Sequence, residues 1–157
     1  MKVEEIGVGL TKFSQIFPDV KMMQKRVQDL NQEAQFRYDD EKTKGTLWRH
    51  NDAFFQKIHQ IIHNEVRSQG HLTNAQPTYN FLLQYPPGSK LLPHTDRADC
   101  EFNLSFIIKG TSKLFTDNCK EGVELGENEA LLYSGFVPHW REASEDYLCV
   151  CIFHFKK

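Results

Sequence analysis

After Gly70 the sequence stops repeating at helical spacing. It becomes a series of short runs rich in β-branched and aromatic residues, each closed by a turn signal. The runs are Thr78 to Tyr85, Phe102 to Ile108, Ala130 to Tyr133 and Tyr147 to Phe155. Clusters of Pro, Gly, Asn and Asp part them, among them Gln84-Tyr85-Pro86-Pro87-Gly88-Ser89 and Leu125-Gly126-Glu127-Asn128-Glu129. Short strands with turns between them build a sandwich or a closed barrel, whereas βαβ units need a helical period between strands. The back half is therefore predicted to be all β.

Ahead of Gly70 the period is helical. Val20, Met23, Val27, Leu30 and Ala34 recur at spacings of three and four, one face of an amphipathic helix. Pro18 sits near its start, where a missing N–H does no harm. Phe54, Ile58, Ile61, Ile62 and Val66 predict a second helix, capped by Asn51 or Asp52 and ended by Gly70. Tyr38-Asp39-Asp40-Glu41-Lys42-Thr43-Lys44-Gly45 is charged, has no apolar period and reads as an exposed loop. The expectation is one domain over residues 1–157. Its helical front, about 14–70, packs on the outside of a β core, about 75–157.

Composition narrows the class of function. The chain has 157 residues, 25% charged and 39% hydrophobic, enough for a core and unlike a disordered chain. A formal charge of −2 speaks against a general nucleic-acid binder. No apolar run approaches a membrane span, and Met1-Lys2-Val3-Glu4-Glu5 lacks a signal peptide's apolar stretch. Cys100, Cys119, Cys149 and Cys151 form no C-x-x-C pair, which fits a reduced, cytoplasmic protein with its cysteines packed as small hydrophobes. No membrane or nucleic-acid partner is expected.

The chemistry is concentrated in His94-Thr95-Asp96 and in His139, which follows Asp96 by 43 positions in the turn-bounded run Pro138-His139-Trp140-Arg141. Two imidazoles and one carboxylate form the facial triad that holds non-haem Fe(II) and leaves positions open for oxygen chemistry. If extended, residues i and i+2 face the same way, so His94 and Asp96 can share one ion at a strand edge. The competing reading makes both histidines surface loop residues and Asp96 a turn cap.

Three stretches carry a resemblance: Tyr85-Pro86-Pro87-Gly88 through His94-Thr95-Asp96-Arg97, Leu132-Tyr133-Ser134-Gly135, and Pro138-His139-Trp140-Arg141-Glu142. Over about residues 79 to 155 the sequence resembles the Fe(II)/2-oxoglutarate-dependent dioxygenase superfamily, nearest its prolyl-4-hydroxylase-like branch. The resemblance implies a double-stranded β-helix, or jelly roll, with the metal inside one mouth. It implies His94, Asp96 and His139 as ligands, Tyr85 as a pocket residue, and Fe(II), 2-oxoglutarate and O2 as the reacting set. It implies hydroxylation, since Asp96 occupies the position that a halide would need. Amino-acid side chains, free or peptidyl, are the substrates that this branch suggests.

The resemblance fails at one place. Many members carry Arg or Lys on the last strand for the distal carboxylate of 2-oxoglutarate, and Tyr147 to Phe155 has neither. A planar bidentate cation suits that carboxylate. Arg141, two residues past His139 and on its face if the chain is extended, is the first replacement, and Arg97 is the second. The gap keeps two alternatives open: a cupin-like metalloenzyme that does not use 2-oxoglutarate, and a non-catalytic jelly-roll binding protein. His59 and His63 lack the carboxylate of H-E-x-x-H and read as a half-exposed helix flank, not a metal site. His50, His71 and His154 show no partner pattern. Trp140 fills the barrel mouth or stacks on substrate. Asn103 and Ser105 alternate on one strand and are candidate contacts if they face inward. Arg97 and Asp99 are expected to form a local ion pair, and Lys156 to be exposed.

Overall fold

The computed structural model describes residues 1–39 and 41–157. The elements, in chain order, begin with β1 (Lys2–Gly7), β2 (Leu10–Ser14), α1 (Val20–Gln32), β3 (Arg37–Tyr38), β4 (Thr43–Lys44), β5 (Leu47–His50) and α2 (Ala53–Ser68). They continue with β6 (Gln76–Tyr85), β7 (Lys90–His94), β8 (Phe102–Lys109), β9 (Ser112–Thr116), β10 (Cys119–Leu125), β11 (Glu129–Ser134), β12 (His139–Arg141) and β13 (Leu148–Lys156).

Two antiparallel sheets face each other. The larger has the order β1-β2-β11-β8-β13-β6-β5-β3 and the smaller β10-β9-β12-β7-β4. This mainly β arrangement with two helices is consistent with the expected jelly roll. The N-terminal part of the expectation needs correction. The chain opens on a hairpin, β1 with β2, that joins the large sheet beside β11. The helices come after it. Leu10 and Phe13 bury on opposite faces of β2, a short strand whose partner β11 lies more than a hundred residues away, so no local period announces it.

The helices behave as their sequence dictates. The Asp19 carboxylate caps α1 by accepting from the Lys21 N–H, and Asp52 caps α2 by accepting from Phe54 and Phe55. Met23, Val27 and Leu30 of α1, with Phe55, Ile58, Ile62 and Val66 of α2, bury against the outer face of the large sheet. Ala34, expected on the first helix, lies beyond its end with a positive φ of 52°. The stretch read as a loop contains the end of β3 and all of β4; Asp40 within it lies outside the described residues.

The long strands of this sheet are buried on both faces, which is why they read as almost unbroken apolar runs. Leu104, Phe106 and Ile108 of β8 and Cys149, Cys151, Phe153 and Phe155 of β13 meet the helices. The alternate residues Ile107, Val150 and Ile152 face the other sheet, together with Leu83, Leu91, Leu114 and Leu131. Cys149 and Cys151 are free thiols packed as hydrophobes, and burial pushes the Cys149 thiol up to about 12.

Candidate active site

His94 closes β7 and His139 opens β12, and these two residues pair directly across the small sheet. That register brings the imidazoles to a centroid separation of 4.4 Å. Asp96 lies past the end of β7, not on the strand. Its position is set by its backbone N–H, which donates to the Gly135 carbonyl at 2.8 Å. Gly135 allows this close approach: a Cβ there would lie 1.9 Å from the Cys100 carbonyl oxygen and 3.1 Å from Asp96 Oδ2.

The ligand atoms of His94, Asp96 and His139 all lie within 4.8 Å of one another. Their protons are set from behind. His94 Nδ1 lies 2.6 Å from the Leu92 carbonyl and His139 Nδ1 lies 2.9 Å from that of Val137. A carbonyl oxygen only accepts, so both Nδ1 atoms carry the proton. Each Nε2 lone pair is then turned toward Asp96, at 3.2 Å from Oδ1 for His94 and 3.4 Å from Oδ2 for His139. Three acceptors facing one another are satisfied only by added protons or by a cation. Burial opposes the Asp96 charge, but His139 and His94, when protonated at Nε2, together with the Asn103 amide outweigh burial and hold the carboxyl well below its usual range. Two nitrogens and one carboxylate, oriented by backbone carbonyls, fit a divalent metal with open positions.

Sequence reasoning missed one part of this site. His154 on β13 donates from Nδ1 to Asn103 Oδ1 at 2.6 Å, and Asn103 Nδ2 donates to Asp96 Oδ2. The amide is thereby fixed with its donor toward the carboxylate. Asn103 points inward, as its alternation with Ser105 allowed, and it meets Asp96. Burial keeps His154 neutral and lowers it to about 4, although the Asp96 charge works against this. No local pattern singles out His154; only β8–β13 pairing, with His154 opposite Asn103, brings it here.

Deeper in the same barrel lies a second group of polar atoms. Arg141 is 2% exposed, on the inward face of β12 with His139. Its Nη2 donates to Ser105 Oγ at 2.6 Å, and its guanidinium lies 5.8 Å from the Tyr85 ring centroid. Among the described residues no carboxylate pairs with it. Arg141 Nε and Nη1, Tyr85 Oη and Tyr133 Oη are all buried without a hydrogen-bond partner. Burial raises the Tyr85 and Tyr133 hydroxyls, so both stay protonated donors. The Tyr133 ring lies 4.9 Å from that of His139, which links this group to the triad.

The triad opens into a cavity of about 230 Å³ walled by Tyr79, Phe81, Leu83, Ile152 and His154. A cleft of about 770 Å³ opens elsewhere and reaches Tyr85 and Arg141 but none of the triad. Several expectations are corrected. Arg97 is exposed at the rim of the triad cavity and does not join the Arg141 group; Asp99 pairs with Lys156 instead of Arg97. Trp140 stacks on Phe115 at 5.8 Å and does not line the triad cavity. His59 and His63 are buried, at 3% and 2% exposure, not half-exposed. His59 packs on Phe153 and Phe155, and His63 Nε2 donates to the Leu72 carbonyl. They bordered the apolar stripe, and the sheet covers the whole of that flank. Among the described residues no helix is long and apolar enough to cross a membrane.

No protein-family model and no curated protein sequence matches this chain. Solved structures do match its fold. A prolyl-4-hydroxylase from Pseudomonas putida aligns with a TM-score of 0.72 at 14% identity, over 95% of this chain and 92% of its own. A prolyl hydroxylase in complex with a hypoxia inducible factor peptide fragment from Trichoplax adhaerens aligns with a TM-score of 0.73 at 14% identity, over 94% and 84%. HygX from Streptomyces hygroscopicus, with nickel, 2-oxoglutarate and hygromycin B bound, aligns with a TM-score of 0.69 at 9% identity, over 94% and 82%. The chain has the fold of the Fe(II)/2-oxoglutarate oxygenases, the prolyl-4-hydroxylase-like branch included.

Proposed function

We propose that this chain is a single-domain Fe(II)/2-oxoglutarate-dependent oxygenase that hydroxylates an amino-acid side chain, free or within a peptide. The observation that carries the reading is the buried, unpaired Arg141 with Tyr85 and Tyr133 in the same barrel as the triad. Buried donors without acceptors are costly, and a cluster of them marks the place of an absent acceptor. The three groups suit the distal carboxylate of 2-oxoglutarate, with Arg141 Nε and Nη1 as the bidentate pair. Asn103 touches Asp96 and Ser105 touches Arg141, two residues apart on β8. That step is about 7 Å along a strand, the scale of an extended five-carbon dicarboxylate.

His94, Asp96 and His139 would hold Fe(II). Fe(II) held there would supply oxygen chemistry, coupling the oxidation of 2-oxoglutarate to succinate and CO2 to the oxidation of a substrate C–H bond to C–OH, each product taking one atom of O2. The protein's own work is orientation and exclusion of water. Asn103 fixes the carboxylate, the Leu92 and Val137 carbonyls fix the imidazoles, and Leu83 and Ile152 keep the cavity floor apolar.

The reading is tested on purified protein with Fe(II), 2-oxoglutarate and a panel of amino acids and peptides under O2. A product heavier by one oxygen, matched to succinate, is expected, and Asp96→Ala should lose Fe(II) binding. Turnover only on methylated nucleic acid with formaldehyde released would overturn the substrate class and keep the chemistry. Absence of any 2-oxoglutarate binding would leave the 2-oxoglutarate-independent metalloenzyme.

A further inference from the structure

The triad cavity continues outward. A hollow of about 470 Å³ shares His50, Phe81 and Arg97 with it and adds Arg37, Trp48 and Arg49. Its wall is a chain of ring contacts that starts beside the metal site. His154, bonded to Asn103, lies 4.9 Å from Tyr79; Tyr79 lies 4.7 Å from His50 and His50 5.9 Å from Phe81. Phe81 stacks on Trp48 at 5.3 Å, and the Arg37 guanidinium lies 5.5 Å from the Trp48 ring centroid. The outer end is fixed, because Trp48 Nε1 donates to the Asp39 carbonyl at 2.7 Å and β5 pairs with β6.

The cations along this wall differ in what they already hold. Arg49 is committed, with Nε on Asp52 at 2.9 Å. Arg37 and Arg97 are exposed and, among the described residues, neither makes a side-chain hydrogen bond or an ion pair. They mark the two ends of the outer hollow: Arg37 on the far ring, Arg97 at the cavity rim directly after Asp96. Two guanidiniums left open on one aromatic wall accept anionic groups from whatever lies along it.

We propose that this groove is the substrate track and that it selects an extended peptide with acidic residues beside the residue being hydroxylated. The inference rests on the oxygenase reading for the end of the track at the triad. A wall of five rings in series is longer than one free amino acid. It suits a strand-like segment, which advances about 3.3 Å per residue. A nucleic-acid strand fits less well. Unstacked bases are held on free aromatic faces, and these wall rings are spent on one another.

Binding is separable from turnover because Trp48 sits in the groove. In a Trp140→Phe background its fluorescence reports occupancy directly, with hexaglutamate as probe and hexalysine, N-acetylglutamate and an oligothymidylate hexamer as comparisons. Hexaglutamate should bind, weaken as salt is raised, and lose at least tenfold affinity in the Arg37→Glu, Arg97→Glu double variant. Thermal unfolding of that variant should match that of the Trp140→Phe protein, which reports that its fold is intact. Hexaglutamate affinity indifferent to the charge reversal would overturn the proposal. So would N-acetylglutamate binding as tightly as the hexamer, or the oligothymidylate binding more tightly than hexaglutamate. Failure of the oxygenase reading would show instead as loss of 2-oxoglutarate binding in the wild-type protein.

Discussion

Replacing Arg141 by Met should stabilise the ligand-free protein while destroying its affinity for 2-oxoglutarate. Met has a similar reach and no donors. The wild-type guanidinium is 2% exposed, keeps Nε and Nη1 unpaired and has no counter-ion among the described residues. Each unsatisfied buried donor costs about 1–3 kcal/mol, and exchange of buried charge for a well-packed hydrophobe commonly gains about 1–4 kcal/mol. Against this stand the Ser105 bond and the contact with the Tyr85 ring, the latter worth about 0.5–2 kcal/mol. The net expectation is a gain of about 1–3 kcal/mol, or a rise in Tm of about 2–12 °C for a chain of this size. Loss of a buried charged hydrogen-bonding partner should cost the co-substrate about 2–5 kcal/mol, from about 30-fold to a few thousand-fold in Kd. Thermal unfolding of both proteins with and without 2-oxoglutarate, beside calorimetric titration, reads both effects. A less stable variant that still binds 2-oxoglutarate normally would refute the assignment of Arg141 as the anchor.

Three further outcomes follow from the geometry. Gly135→Ala should lower metal affinity and Tm together, since the new methyl must displace the Cys100 carbonyl or Asp96; an unchanged Tm would show that the approach is not tight. Asn103→Leu leaves Asp96 Oδ2 and His154 Nδ1 without their partner and should weaken metal binding about 10- to 100-fold. Equal metal affinity in a titration would remove Asn103 as a positioning residue. Burial, aided by His154 and His63, lowers His59 from 6.5 to about 3. The unfolded chain therefore takes up a proton near pH 6.5 that the folded chain refuses until near pH 3. Stability is whole above pH 6.5 and falls as pH drops, by about 2 kcal/mol at pH 5. His59→Leu should lose that part of the slope in denaturant melts, and an unaltered slope would contradict a neutral buried imidazole.

Much of this protein was legible because its signals are local. Helix periods and caps lie within a few residues of each other, so α1, α2 and a cap at Asn51 or Asp52 could be read directly, as could the apolar strands β6, β8, β11 and β13. The grouping of His94, Asp96 and His139 was legible as a motif, and Arg141 as the nearest spare cation. The β1–β2 hairpin, β5 and β12 were not legible, because their strands are short and β2, β5 and β12 take their places in the sheets from β11, β6 and β7, at a distance along the chain. The same is true of burial: His59 and His63 look amphipathic until the β13 aromatics close over them. His154 and its bond to Asn103 exist only through the register of β8 against β13. The Arg37–Trp48–Phe81–His50 wall exists only because β3, β5 and β6 lie side by side at the edge of the large sheet. The sequence determined which groups can carry chemistry and which segments form helices and long strands, since those depend on residue type and near neighbours. Register, burial and the union of two cavities depend on contacts between distant segments, and only the tertiary structure decided them.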